Sequence, residues 1–159
     1  MVALWSDLEV TRFIGGRAFT AEECWARYLR YQGHWCCLGY GYWAVEEKAS
    51  GSFVGEAGFA DYRRETVPAS TLAPEVGWVL CSAKHGQGYA TEIVRAMLAW
   101  GAVHFAGEPM HCIIDEGHHA SLHIARKCGF GQRGRLEYRG QSMLLLDWRT
   151  ELPTPAPGS

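Results

Sequence analysis

No apolar run in this 159-residue chain approaches the roughly 20 residues a membrane helix needs. Its start lacks the basic stretch followed by an apolar one that marks a secretory signal. Acidic and basic side chains nearly cancel, to a net charge of -2, which excludes a basic field for nucleic acid. Six cysteines are present (Cys24, Cys36, Cys37, Cys81, Cys112 and Cys128), and none form C-x-x-C. That usage reads as reduced, mostly core thiols of a cytoplasmic protein. No glycine is followed by lysine, so there is no Walker loop. A dinucleotide fingerprint fails as well, because Thr91 stands where its third small residue belongs. His111, Cys112, His118, His119 and His123 match no zinc spacing, so no metal is expected. His119 and His123 nevertheless stand i, i+4, where one helix face carries both. There is no internal repeat. One domain is expected over residues 1–150, with a polar, proline-rich tail over 151–159.

What is present centres on Pro74 to Gly101, PEVGWVLCSAKHGQGYATEIVRAMLAWG. Val76 to Cys81 is a short apolar run of branched and aromatic residues, suited to a buried strand. Gly86 and Gly88 break it. Tyr89, Ile93, Met97 and Trp100 then recur at helical spacing with Ala96 on the same face, and Glu92 and Arg95 take the wet face. Gly101 is placed where that helix would stop. The first amides of a helix lack intrahelical partners, and its dipole is positive at that end. Glycines let an anion approach, so the turn suits a phosphate, with Lys84 and His85 beside it. A plain strand-to-helix corner uses the same residues.

The run HGQGYATE resembles the cofactor motif of the GNAT superfamily of acyl-CoA-dependent N-acetyltransferases. It is most similar to the branch of Rim-type ribosomal-protein acetyltransferases. Gly86 and Gly88 match the motif's glycines, while Ala83 replaces its usual Gln or Arg. GEAGFADYR (Gly55 to Arg63), PEVGWVL (Pro74 to Leu80) and ASLHIARKCGF (Ala120 to Phe130) follow in that branch's order and spacing. The resemblance runs from about Leu8 to Trp148. It implies a mixed α+β fold, mostly antiparallel, whose fourth and fifth strands splay apart to admit the pantetheine arm. Those strands map to Glu75–Cys81 and Pro109–Asp115. The family's first strand is absent from the matched stretch, and Met1 to Gly16 then corresponds to the end of its first helix.

In chain order, a helix is expected over Phe19 to Gly33, opened by the capping box of Thr20 and Glu23 with Cys24, Tyr28 and Tyr31 inward. Trp35–Glu46 and Phe53–Tyr62 form a hairpin. Arg63 to Ala73 is a loop. After the cofactor helix come a strand at Pro109–Asp115, a helix at His118–Cys128, and a last hairpin of Gln132–Tyr138 with Ser142–Trp148. Ten aromatic residues lie between Trp25 and Tyr62; an acceptor pocket is one reading, but most of them read first as core and sheet packing, since strands favour these residues.

The resemblance also assigns roles. Acetyl-CoA is the expected co-substrate, with Val79, Leu80 and Cys81 at its acetyl and upper pantetheine end. His85, Gly86, Gln87, Gly88, Tyr89 and Ala90 would hold its pyrophosphate. His118 takes the place of the asparagine that contacts the cofactor in the branch. Ser121, nine residues before Phe130, is the candidate acid for the leaving thiolate or a simple helix cap. Ala125 excludes the tyrosine acid found elsewhere in the superfamily. Glu75, then Glu56, are the candidate bases, as acids amid apolar strand neighbours. The expectation is acetyl transfer to a primary amine, with no nucleic-acid or membrane partner. A non-catalytic acyl-CoA sensor is the alternative, and a homodimer follows from analogy alone.

Overall fold

The computed structural model describes residues 1–149; the expected tail over 151–159 lies outside them. Two short helical turns, α1 (Val2–Trp5) and α2 (Leu8–Thr11), precede a long helix, α3 (Ala21–Leu38). Then follow β1 (Tyr42–Glu46), β2 (Phe53–Ala60), β3 (Thr66–Val67) and β4 (Glu75–Leu80). A 3-10 turn over Ser82–Lys84 leads into α4 (Tyr89–His104), β5 (Met110–Asp115) and α5 (His119–Lys127). The chain closes with β6 (Gly131–Tyr138) and β7 (Gln141–Trp148). One mixed sheet runs β1-β2-β4-β5-β7-β6-β3, and only β4 and β5 are parallel. The mostly antiparallel α+β architecture is the one expected.

Helices cover both faces. Against one face α4 and α5 bury Val94, Met97, Leu98, Leu122 and Ala125 over Ala57, Phe59, Val76 and Cys112. Against the other, α1, α2 and α3 bring Leu4, Trp5, Val10 and Cys24 onto Val79. Each fully buried aliphatic or aromatic side chain contributes roughly 1.5–3 kcal/mol, so these layers hold the sheet in place.

Several expected boundaries move. The capping box at Thr20 and Glu23 forms, but α3 runs through Gly33 and ends at Gly39. Gly39 adopts φ +73°, the left-handed conformation that closes a helix. Trp35 to Leu38 are therefore helical, and β1 starts only at Tyr42. Here the Trp35 Nε1–H donates to the Tyr42 carbonyl at 2.9 Å and fixes the corner. Tyr28 and Ala96 are exposed, not inward. Cys36 and Cys37 are exposed too, whereas Cys24, Cys112 and Cys128 are core. The 63–73 segment is not all loop, since Thr66–Val67 pairs with β6. Gly101 does not end α4. A Cβ there would lie 2.5 Å from Met110 Sδ and 2.9 Å from Phe59 Cζ, so this glycine lets the helix approach the sheet. The last hairpin turns on Arg139 and Gly140, both at positive φ, the geometry of a two-residue turn.

Candidate active site

β4 and β5 meet at a single register pair, Glu75 with His111, and separate beyond it. β4 instead stays paired with β2 along its whole length. Alternate residues of a strand direct their backbone groups to opposite sides. The Cys81 amide donates to the Val54 carbonyl at 2.9 Å, so Val79 and Cys81 bond toward β2. Trp78 and Leu80 then face the gap. Of the three residues expected at the acetyl end, Leu80 alone offers its amide there. Val79 and Cys81 contribute side chains to the opposite face. The Leu80 carbonyl already accepts from His85 Nε2 at 3.0 Å, which draws His85 across the mouth of the gap.

Beyond the gap the chain makes a cradle. Gly86 and Gly88 hold φ values of +72° and +88°, which favour glycine. Among the described residues, the amides of Gly86, Gln87, Gly88, Tyr89, Ala90 and Thr91 take no backbone partner. These six N–H groups surround the start of α4, where the helix dipole adds positive potential. Two ties fix the cradle. Ser82 Oγ donates to Asp7 Oδ2 at 2.6 Å, joining it to α2, and that bond holds the Asp7 carboxyl below its ordinary range. Glu47, from the β1–β2 turn, accepts from Ser50, Tyr89 and, at 3.4 Å, Lys84. Lys84 is thus committed to Glu47 and is not a free cation for phosphate. The hydroxyl bonds of Ser50 and Tyr89, then Lys84, lower the Glu47 carboxyl to about 2. Sequence reading missed Glu47 entirely, because 37 residues separate it from Lys84.

Ser121 lies in the first turn of α5, while His118 is the N-cap and makes no capping bond of its own. Ser121 Oγ instead sits 2.8 Å from His118 Nε2. The hydroxyl serves a side chain, so it is no helix cap. Burial lowers the His118 pKa below 6.5 against the pull of Asp115, leaving a neutral imidazole stacked on Phe13 at 4.4 Å.

The two candidate bases separate clearly. Glu75 is buried, but both its oxygens accept from Arg64, at 2.7 Å each. Arg64 in turn lies between the rings of Tyr62 and Tyr138. Glu75 is a structural clamp for the 63–73 segment, with both its oxygens engaged by the Arg64 guanidinium. Glu56, 4% exposed on β2 and in register with Val79, accepts one bond, from Trp5 Nε1 at 3.0 Å. No described carboxylate–cation pair includes Glu56.

A sheet split between its central strands, with a cradle of unpaired amides at the mouth, is an opening suited to an extended ligand that carries an anionic group. The sequence matches the acetyltransferase (GNAT) domain family over residues 1–131. The chain belongs to that family. It is 33% identical over 93 residues to the uncharacterized protein YkkB of Bacillus subtilis (strain 168), covering 57% of this chain and 52% of that one. The alignment thus spans about half the length of that curated relative. Among solved structures, a protein assigned to the GnaT acetyltransferase family of Bordetella pertussis is 29% identical, with a TM-score of 0.77 over 88% of this chain and 86% of its own. A spermidine N-acetyltransferase of Vibrio cholerae, solved with CoA and spermine, shares the fold at 12% identity and a TM-score of 0.68, covering 92% of this chain and 85% of its own.

Proposed function

We propose that this protein transfers an acetyl group from acetyl-CoA to a primary amine, in the cytoplasm. The observation that carries the reading is the run of six free amides, Gly86 to Thr91, at the open end of the β4–β5 gap. The Vibrio neighbour solved with CoA supports acetyl-CoA as the co-substrate. The likeness of the run HGQGYATE to the Rim-type motif supports that branch within the family.

Each residue has a stated task. The cradle amides bind the pyrophosphate. The amides of Trp78 and Leu80 donate to the thioester oxygen as it gains charge. Glu56 accepts the proton that the amine loses as the new C–N bond forms. Ser121 gives its proton to the thiolate released when the C–S bond breaks and regains one from solvent, while His118 Nε2, 2.8 Å away, holds the hydroxyl in place. Holding amine and thioester together across the gap supplies the orientation.

Release of free CoA, followed with a thiol reagent across an amine panel, tests this. Turnover is expected, with Glu56→Gln lowering kcat by about 10²-fold, the usual worth of a positioned base. Tight acetyl-CoA binding without turnover of any amine would instead identify a sensor.

A further inference from the structure

Three polar atoms on one face of α3 are buried without a hydrogen-bond partner among the described residues: Arg27 Nε, Tyr31 Oη and His34 Nδ1, the last on a ring whose Nε2 already meets the Asp61 carbonyl at 3.3 Å. Arg27 and Tyr31 stand i, i+4, one turn apart on the side of α3 that meets the sheet. Buried polar atoms are almost always satisfied, and a guanidinium nitrogen beside an orphan phenol is a costly pair to leave unmet. Tyr31 is only 4% exposed, and its ring stacks flat on Tyr42 at 4.5 Å. Burial, then the neighbouring Tyr62, raises the Tyr31 pKa far above 10 against the opposing pull of the Arg27 guanidinium beside it, so its hydroxyl stays protonated and can donate.

Charge shows the same incompleteness. No described carboxylate lies within ion-pair distance of Arg27. Its guanidinium stacks on Trp5, 3.6 Å from the ring centroid, and 5.0 Å from that of Phe19. The same indole donates its N–H to Glu56. One tryptophan therefore holds a cation against its face and an anion at its edge, and keeps the two from pairing. A ligand that completes both must carry an ammonium toward Glu56 and an anionic oxygen group toward Arg27 and Tyr31.

We infer that the acceptor is a small zwitterionic amine of the α-amino-acid class, its carboxylate held by Arg27 and Tyr31 and its amino group by Glu56. This rests on the acetyl-transfer reading and names the substrate for it. The ammonium gives one proton to Glu56 and attacks through nitrogen, the second proton it sheds as the amide forms passes to solvent and balances the one that Ser121 regains, and the carboxylate keeps its charge throughout. The same arrangement disfavours acceptors that lack a carboxylate, since they leave the Arg27 and Tyr31 donors unpaired in a buried site.

The test uses matched pairs that differ only in the carboxylate, phenylalanine with phenethylamine and leucine with isoamylamine, on the full chain. The amino acid should exceed its partner by about 10- to 100-fold in kcat/KM, the worth of one or two charge-assisted hydrogen bonds. Arg27→Met and the conservative Tyr31→Phe should each collapse that ratio, mainly through KM for the amino acid, with acetyl-CoA affinity within twofold of wild type. Calorimetric titration of the same pairs into the CoA complex reads binding without turnover. Preferential binding of the amino acids supports the inference even if no acetyl transfer occurs. Equal or better binding and turnover of the decarboxylated amines overturns it, and so does a ratio that survives in Tyr31→Phe and Arg27→Met.

Discussion

At the scale of single residues, Ser121 and its partner carry the sharpest consequence. Their 2.8 Å contact is between side chains, with the α5 backbone uninvolved. Ser121→Ala should therefore reduce kcat and kcat/KM together, by about 10²-fold, and leave acetyl-CoA affinity unchanged. Its thermal melt should stay near wild type, since no backbone cap is lost. Near-normal turnover in that variant would remove Ser121 from the reaction. Ser121 was legible in the sequence because its distance from Phe130 is local. The pairing with His118 was not, although both stand in one turn, because the N-cap had to be fixed first. The choice between Glu75 and Glu56 was also out of reach. Both read as acids amid apolar strand neighbours, and the answer depends on Arg64, which lies in a segment that reads as plain loop. The Arg27 and Tyr31 donors escaped for a similar reason. Only their lack of partners marks them, and a lack of partners is a property of the packed structure.

At the scale of elements, local chemistry was readable and context was not. The Thr20–Glu23 box and the glycine turn before α4 need only neighbours in sequence, and both form as read. The glycines at 33 and 101 misled because glycine has two uses. Gly39 ends α3 through its positive φ, while Gly101 lies within α4 to admit Met110 and Phe59. β3, two residues long, has too little pattern to be seen. The β1–β2 turn acts as a strut for the cradle through Glu47, which leads to a measurable pH effect. Its folded pKa, about 2, lies below the ordinary 4.5, so its stabilisation is complete above about 4.5 and is lost as pH falls toward 2. Glu47→Gln should therefore lower the melting temperature at pH 7, and the gap to wild type should close on acidification below 4.5. A gap that does not change with pH would show that Glu47 acts through packing alone. The same variant should weaken acetyl-CoA binding, because Lys84 and Tyr89 lose their common anchor.

At the scale of the whole molecule, the arrangement is a sheet opened at its centre and held open from both faces. α4 and α5 fasten one face, and α1 to α3 fasten the other around Val79. The single Glu75–His111 pair closes the base of the opening, and Arg64 clamps Glu75 from the side. The sequence motifs announced this opening only through resemblance, since no periodicity encodes where two strands part. The central claim is that the opening and its amide cradle receive acetyl-CoA. Gly88 is the position that tests it. Its φ of +88° suits glycine, and no atom lies within 4 Å of where a Cβ would stand, so a larger side chain enters the open cradle and not the core. The measurement is calorimetric titration of acetyl-CoA into the wild type and into Gly88→Val, each first shown to be folded. The account predicts micromolar binding to the wild type and none to the variant; equal affinity in two folded proteins would contradict it.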